Sequence, residues 1–245
     1  MGSYAEGLHP QDEEITVYVT GFAPFRDQNP VNPSWEIARA LPPFLPPSKP
    51  SPTPEVSQLA APPRVRILVH PEPVHVAYTT VRPLVPKLWE GRKIDYMVHI
   101  GMATSRQFYC VERRGHRDGY VMKDVDGELL GDEERKERGE KCEWDNMPEE
   151  ILSGLNIEDI WKKWRVALPN TDVRVSEDAG HYLCDFIYYS SLSYLEMKGE
   201  EKRVVFLHVP IDVDEAAVKT GVEATIELIR AMIQSDGQKK LSAGQ

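Results

Sequence analysis

The sequence predicts an α/β protein in which a β-sheet is covered by helices on both faces. Short runs rich in β-branched and aromatic residues alternate with segments whose apolar residues recur at helical spacing, an order typical of such sheets. The 245 residues suffice for one large domain or two small ones, and the hydrophobic (41%) and charged (28%) fractions are ordinary for a globular protein. No apolar run approaches the roughly 18 residues that a membrane-spanning helix needs.

The first half of the chain is predicted to contain four strands and two helices. Ile15–Thr20 is β-branched and aromatic, which favours a strand, and Gly21 ends it. A helix runs from Pro33 to about Ala40, because proline is compatible with the first helical turn, and Asn32 is a candidate cap. The remaining elements of this half are strands at Val65–His70, Tyr96–Ile100 and Phe108–Glu112 and a helix within Val74–Trp89.

The second half is predicted to add three helices and two strands. Its last helix, Ala216–Met232, carries apolar residues at helical spacing. The charged run Asp132–Arg138 predicts a solvated loop or an exposed helix. The other elements are helices at Ile157–Val166 and Cys184–Leu195 and strands at Val173–Ser176 and Val204–His208.

Polar termini and a proline-rich segment flank and interrupt this pattern. Residues 1–14 are predicted to be a disordered tail, and residues 234–245 a polar tail. Nine prolines lie between positions 42 and 63, and proline fits neither a helix interior nor a central strand. This segment is therefore expected to be exposed and extended.

Charge and cysteine content exclude several classes of function. A formal net charge of −10 disfavours nucleic acid and anionic membranes as partners. The three cysteines lie far apart, so they form no CxxC metal or redox pair, and an odd number argues against a disulfide framework. The polar, acidic N-terminus has the features of neither a signal peptide nor a transit peptide, which makes the cytoplasm the expected compartment.

Cys184 lies where the pattern changes from strand to helix. Gly180 allows a sharp turn after the predicted strand, and Cys184 then falls in or near the first helical turn. Unpaired backbone N–H groups and the helix dipole favour negative charge there, which predicts a cysteine pKa below about 8.5. The alternative is a cysteine that only packs in an apolar environment.

Loops that follow predicted strands carry groups that could act with this cysteine. Four such loops, Gly21–Asn32, Gly101–Glu112, Asp178–Cys184 and His208–Asp212, are expected to converge on one edge of the sheet. They bring a thiol, an imidazole (His208) and a carboxylate together, the groups that nucleophilic catalysis needs. Taken singly, His208 could be a core histidine, and Glu112 could form a surface ion pair with the neighbouring arginines.

The sequence resembles the pyroglutamyl-peptidase I family of cysteine peptidases, in a eukaryotic-type form. The resemblance rests on several separate motifs, whose order along the chain is also that of the family. They are Thr20–Phe25 (TGFAPF) with Asn32–Glu36 (NPSWE), His99–Gly101 followed at the family's spacing by Glu112, Gly115–His116 with Gly119–Tyr120, Ser176–Phe186 (SEDAGHYLCDF) with Tyr188–Tyr189, and Phe206–Pro210 (FLHVP).

The resemblance implies a single-domain, three-layer α/β/α sandwich around a mixed, mostly parallel sheet, of the phosphorylase/hydrolase-like kind. It assigns Cys184 as the nucleophile, His208 as the general base and then acid, and Glu112 as the carboxylate that orients the histidine. No metal and no cofactor are implied.

The same resemblance assigns a substrate pocket. Phe22 and Phe25 match an aromatic pair that sandwiches the pyroglutamyl ring, and Asn32 matches an asparagine near that pocket. Met102 falls where bacterial members have a glutamine whose backbone contacts the lactam, and Leu183 is assigned to the pocket as well. A flat, uncharged ring suits such an apolar slot, whereas a charged N-terminal amine would be excluded by the cost of desolvation.

The activity implied is hydrolysis of the bond after an N-terminal pyroglutamyl residue, through a thioester. The expected partners are peptides that carry this residue, not nucleic acid or membrane, and a homo-oligomer is left open. Two alternatives remain: hydrolysis of another small acyl amide, and a non-enzymatic binding or scaffold protein on the same fold.

Two segments exceed what compact members of this family are expected to contain. They are the proline-rich residues at about 42–63 and the charged residues at about 129–170, and both are expected to lie at the rim of a catalytic domain spanning residues 15–233. The second segment carries Trp161 and Trp164, which are expected either to pack back onto the domain or to form a contact surface. Arg106 is a candidate for oxyanion stabilisation or a solvent-facing residue. The sequence leaves open whether Cys110 lies near the site.

Overall fold

The computed structural model describes residues 14–25, 30–48 and 63–243. Within them, six strands form one sheet in the order β2-β1-β3-β8-β4-β7, and two form a small separate sheet, β5 with β6. The strands are β1 (Ile15–Gly21), β2 (Val65–Val69), β3 (Tyr96–Met102), β4 (Tyr109–Glu112), β5 (Arg114–His116), β6 (Glu150–Leu152), β7 (Val173–Ser176) and β8 (Val204–Val209).

Helices cover both faces of the large sheet. They are α1 (Pro33–Arg39), α2 (Tyr78–Trp89), α3 (Asp132–Glu137), α4 (Ile157–Ala167), α5 (Leu183–Lys198) and α6 (Glu215–Ala243). The buried side chains of α1, α4 and α6 form one apolar core with one face of the sheet, and those of α2 and α5 form a second core with the other face. The predicted three-layer α/β/α sandwich is confirmed.

The sheet is mixed and mostly parallel. Strands β1, β2, β3 and β8 are parallel, whereas β4 is antiparallel to β8 and β7 is parallel to β4. The loop after β7 therefore follows a strand of opposite direction, but it still meets the loops after β1 and β3: Tyr182 contacts Phe25, and Arg106 donates to the Asp178 carbonyl at 2.9 Å. In the register of β4 against β8, Cys110 lies opposite His208 and Glu112 opposite Phe206, so the short strand β4 stays beside the end of β8.

The proline-rich segment begins as an added edge to the sheet. Leu45 N–H donates to the Val65 carbonyl at 2.9 Å, and Ile67 N–H donates to the Pro43 carbonyl at 2.9 Å. An edge position tolerates proline because only one side of such a strand needs donors. Residues 49–62, which hold most of the predicted extended insertion, lie outside the described residues, as does the predicted tail up to residue 13.

Helix α4 belongs to the core and not to the rim, which corrects the expectation for this part of residues 129–170. Trp164 is fully buried and its Nε1–H donates to the Ala224 carbonyl of α6 at 2.8 Å. Trp161 donates to the Val173 carbonyl of β7 at 2.9 Å. Both tryptophans therefore pack back onto the domain.

Helix α6 extends to Ala243, so residues predicted as a polar tail from 234 onward continue the helix. Ser235 and Asp236 are buried, and Asp236 accepts a hydrogen bond from Tyr96 of β3 at 2.8 Å. A tertiary contact thus extends the helix beyond its apolar stripe. No helix among the described residues is long and apolar enough to cross a membrane.

Candidate active site

A buried hydrogen bond joins the predicted carboxylate to the predicted base. Glu112 Oε1 lies 2.7 Å from His208 Nδ1, and both residues are almost completely buried. The contact spans two strands, because β4 and β8 are hydrogen-bonded neighbours in the sheet. With Nδ1–H donating to the carboxylate, Nε2 is the nitrogen left to accept a proton.

Arg106 is a third member of this group and is half-buried, with 24% of its side chain exposed. Its Nη1 donates to Glu112 Oε1 at 2.7 Å, and its Nη2 donates to the Asp178 carbonyl at 2.9 Å. Burial alone would raise the pKa of Glu112, but the hydrogen bond and charge of His208 and the charge of Arg106 hold it below its ordinary value. The carboxylate is therefore ionised and fixed in place.

Cys184 lies in the first turn of α5, as predicted. Tyr182 is the N-cap in an extended conformation, without a side-chain capping bond, and the first helical bond runs from Phe186 N–H to the Tyr182 carbonyl at 2.9 Å. The N–H groups of Leu183, Cys184 and Asp185 precede the first intrahelical donor, so they have no partner within the helix and can bind an oxyanion at its start.

Gly101 lets the thiol approach the end of β3. A methyl group at this position would lie 2.8 Å from Cys184 Sγ and 2.5 Å from Phe206 Cζ. Gly101 is also the register partner of His208, whose ring centroid lies 4.7 Å from that of Phe206. The structure therefore brings the predicted thiol, imidazole and carboxylate to one site.

The ionisation of Cys184 differs from the expectation. Although the residue as a whole is partly accessible, burial of its thiol raises the pKa of Cys184 to about 12. The negative charges of Glu112 and Asp185 raise this pKa further, and the positive charge of Arg106 lowers it. The prediction of a stabilised thiolate is therefore wrong for the free protein. A thiol at this position has to lose its proton to a base during the reaction.

Cys110 lies beside the carboxylate but is enclosed. It is fully buried, its Sγ accepts from Arg106 Nη1 at 2.8 Å, and its thiol lies 3.5 Å from Glu112 Oε1. Burial and the charge of Glu112 raise the pKa of Cys110 to about 12. The cysteine whose position the sequence left open is thus a packed neighbour of the site.

The two phenylalanines predicted to sandwich a ring occupy different environments. Phe22 is buried in the core beside α5 and pairs with Val74 through a parallel bridge. Phe25 is partly buried and contacts Tyr182 edge to face, with ring centroids 5.8 Å apart. Phe25 and Tyr182 line an open groove of about 750 Å³, whose lining also includes the polar and charged residues His75, Lys123, Asp124 and Asp126.

Asn32 supports this loop and does not point into the groove with a free amide. Its Oδ1 accepts from Ser34 N–H at 3.1 Å and from Ser34 Oγ at 2.8 Å, and its Nδ2 donates to the Ala23 carbonyl at 2.9 Å. It therefore caps α1 and fixes the segment between Phe22 and Phe25. Of the other predicted pocket residues, Met102 is half-buried at the end of β3, and Leu183 is buried at the start of α5.

Sequence reasoning missed the support beneath the cysteine. Asp185 is fully buried and accepts from the backbone N–H of His116 at 3.2 Å and from Tyr120 Oη at 3.0 Å. His116 and Tyr120 belong to the quoted motif after Glu112, and that motif was the available signal. His99, also in a motif, bridges Thr20 and Ser191 inside the core, where burial lowers its pKa to about 3.

Comparisons with known proteins agree with the motifs. A family model described as pyroglutamyl peptidase matches residues 64–234. Human pyroglutamyl-peptidase 1 is 30% identical over 91% of this chain and 93% of its own length, and the mouse protein of the same name is 32% identical over 79% and 78%.

Solved structures share the fold. The pyrrolidone carboxyl peptidase from Thermococcus litoralis superposes with a TM-score of 0.68 at 17% identity, covering 92% of this chain and 96% of its own. The pyroglutamyl peptidase I from Bacillus amyloliquefaciens gives a TM-score of 0.65 at 18% identity, covering 91% and 95%.

An α/β/α sandwich that brings a cysteine, a histidine and a carboxylate to one site has the framework of a cysteine hydrolase. Within that class, the chain belongs to the pyroglutamyl peptidase family. The resemblance carried by the sequence motifs is confirmed.

Proposed function

We propose that the protein is a cysteine omega-peptidase that hydrolyses the bond after an N-terminal pyroglutamyl residue. The observation that carries the proposal is the buried Glu112–His208 hydrogen bond of 2.7 Å beside Cys184 at the start of α5. Membership of the pyroglutamyl peptidase family supplies the substrate class.

In the first half of the reaction, His208 takes the thiol proton as the Cys184 sulfur attacks the carbonyl carbon of the pyroglutamyl residue. Backbone N–H groups at the start of α5, including that of Cys184, hold the oxyanion. The C–N bond then breaks, His208 gives its proton to the departing amine, and a thioester remains. Glu112 keeps the imidazole in the tautomer that these transfers need.

In the second half, water replaces the amine. His208 takes a proton from the water as its oxygen attacks the thioester carbonyl. The C–S bond breaks, the sulfur recovers the proton from His208, and free pyroglutamate leaves. Proton transfer during the reaction agrees with a raised pKa of Cys184, because no preformed thiolate is required.

The selectivity proposed for a blocked N-terminus depends on the rings of Phe25 and Tyr182, since the rest of the groove includes polar and charged residues. Aromatic edges and faces suit a flat, uncharged lactam, whose one N–H and one C=O can pair with backbone groups. Of the assigned pocket residues, Phe25 and the backbone of Met102 and Leu183 are proposed to contact the lactam directly. Phe22 and Asn32 are assigned to support of the pocket, because Phe22 is in the core and the Asn32 amide bonds Ala23 and Ser34.

The compartment proposed for this activity is the cytoplasm. Cys110, Cys142 and Cys184 are all free thiols, a state that the reducing cytosol maintains. The substrates proposed are peptides with N-terminal pyroglutamate, not nucleic acid or a membrane surface.

The test is release of an amine from a panel of pyroglutamyl, prolyl and glutamyl amides. We expect cleavage of the pyroglutamyl amide alone, loss of that cleavage in Cys184→Ala, and retention in Cys142→Ala, a buried cysteine outside the site. Preference for another acyl amide would contradict the substrate class. A folded protein that cleaves none of them would favour the scaffold alternative.

A further inference from the structure

Two histidines and a buried aspartate form a second cluster, which the proposed reaction does not use. One ligand atom from each of His116, His181 and Asp185 lies within 4.8 Å of the other two. They come from three places in the chain: strand β5, the loop before α5, and the first turn of α5.

The spacing of the two imidazoles matches that of two ligands on one ion. The ring centroids of His116 and His181 lie 5.2 Å apart. Two imidazoles bound to one tetrahedral ion at metal–nitrogen distances of 2.0–2.1 Å place their centroids about 5 Å apart. The separation of the two rings is therefore compatible with binding to one ion.

Hydrogen bonds behind the cluster hold its members as outer partners hold metal ligands. His181 Nδ1 lies 3.0 Å from the Asp118 carbonyl, so its N–H donates there and Nε2 keeps the lone pair that a metal needs. Asp185 Oδ2 accepts from Tyr120 Oη at 3.0 Å, which fixes the carboxylate. A methyl group on Gly119 would lie 2.8 Å from His181 Nδ1, so the glycine leaves room for this ring.

We propose that His116, His181 and Asp185 bind a divalent transition-metal ion such as Zn²⁺, Co²⁺, Ni²⁺ or Cu²⁺. Two imidazoles with one carboxylate suit these ions, whereas Mg²⁺ and Ca²⁺ prefer oxygen ligands alone. His181 is exposed and His116 half-buried, so the ion has a path from solvent, while the buried Asp185 anchors it.

The experiment uses the full-length protein with Cys184→Ser, which removes the one cysteine that is not buried. Calorimetry with Zn²⁺ is expected to give one ion per chain. Co²⁺ is expected to give weak visible bands of a nitrogen and oxygen site, without the intense sulfur charge transfer of a thiolate ligand. His181→Ala is expected to weaken binding by more than the roughly 10- to 100-fold that loss of an outer partner costs.

His75 offers a matched control. It is also an exposed histidine paired with an aspartate, its Nε2 lying 2.9 Å from Asp126, but it is in neither three-residue cluster. His75→Ala is expected to bind Zn²⁺ as its parent does. No binding, equal loss in both histidine variants, unchanged binding in His181→Ala, or a thiolate band from Co²⁺ at a site containing Cys110 would each overturn the proposal.

Discussion

At the scale of single residues, the site depends on which of its buried groups are ionised and which are neutral. Glu112 is fully buried yet ionised, because His208 and Arg106 both bond to the same oxygen. Cys184 is in the opposite condition, with a raised pKa and a neutral thiol. The charge separation that the reaction needs is therefore created when the proton moves and is not stored in the free protein.

The raised pKa of Cys184 predicts how its thiol reacts with iodoacetamide as pH changes. A thiol with a pKa near 12 is mostly protonated at neutral pH, and its thiolate fraction rises about tenfold per pH unit until that pKa is approached. The alkylation rate, followed by mass spectrometry, is expected to rise steadily from pH 7 to pH 10. A plateau near neutral pH would show a thiolate already present and would contradict the account.

Arg106 is predicted to position the carboxylate and the loop before the nucleophile. Arg106→Ala removes the contacts to Glu112, to Cys110 and to the Asp178 carbonyl, and is expected to lower kcat for a pyroglutamyl amide by roughly 10- to 100-fold. Arg106→Lys keeps the charge but cannot span all of these partners, so it is expected to recover part of the loss. Equal values of kcat in the Ala variant, the Lys variant and the wild type would show that Arg106 does not position the site.

At the scale of elements, the site forms where β3, β4 and β8 meet the start of α5. The sequence was sufficient to place these elements, since β-branched runs, Gly180 and the apolar helical stripes all lie where the elements form. The sequence alone did not show which strands of the mixed sheet run antiparallel, because a four-residue strand such as β7 carries no signal of its direction in the sheet. The three-residue strands β5 and β6 were missed, since so short a run carries no periodicity.

The contact between β3 and α5 can be tested with one methyl group. Gly101→Ala places that group against Cys184 Sγ and Phe206, so we expect destabilisation by about 1–3 kcal/mol and loss of most activity. Urea denaturation and amide cleavage measure the two effects. Gly237→Ala makes the same change in α6, where nothing lies within 4 Å, and is expected to stabilise by about 0.5–1 kcal/mol. Similar behaviour of the two variants would argue against the close approach at Gly101.

At the scale of the whole molecule, one sheet with two apolar cores holds every part of the site. The family motifs predicted the three-layer fold and the meeting of Cys184, His208 and Glu112, because each lies in a motif of its own. They did not predict that α4 completes one helical layer, since the charged residues around it dominate the local pattern. They also did not predict the burial that raises the pKa of Cys184, which depends on groups distant in sequence.

The structural role of α4 is testable through its two tryptophans. Trp164→Ala empties a fully buried position between α4 and α6 and is expected to lower the free energy of unfolding by about 3–5 kcal/mol. Trp161→Ala, at a half-buried position, is expected to cost less. Denaturant titration of both variants gives the comparison. A loss of unfolding free energy below about 1 kcal/mol in Trp164→Ala would indicate that α4 lies at the rim and not in the core.

The most direct test of the central claim is to trap the acyl-enzyme. A pyroglutamyl ester with a good leaving group is mixed with excess protein, quenched in acid within the first turnover, and the digested protein is mapped by mass spectrometry. We expect one pyroglutamyl group, bound as a thioester to the peptide that contains Cys184 and absent from Cys184→Ala. Turnover with no adduct on Cys184, or with the adduct on Cys110, would contradict this claim.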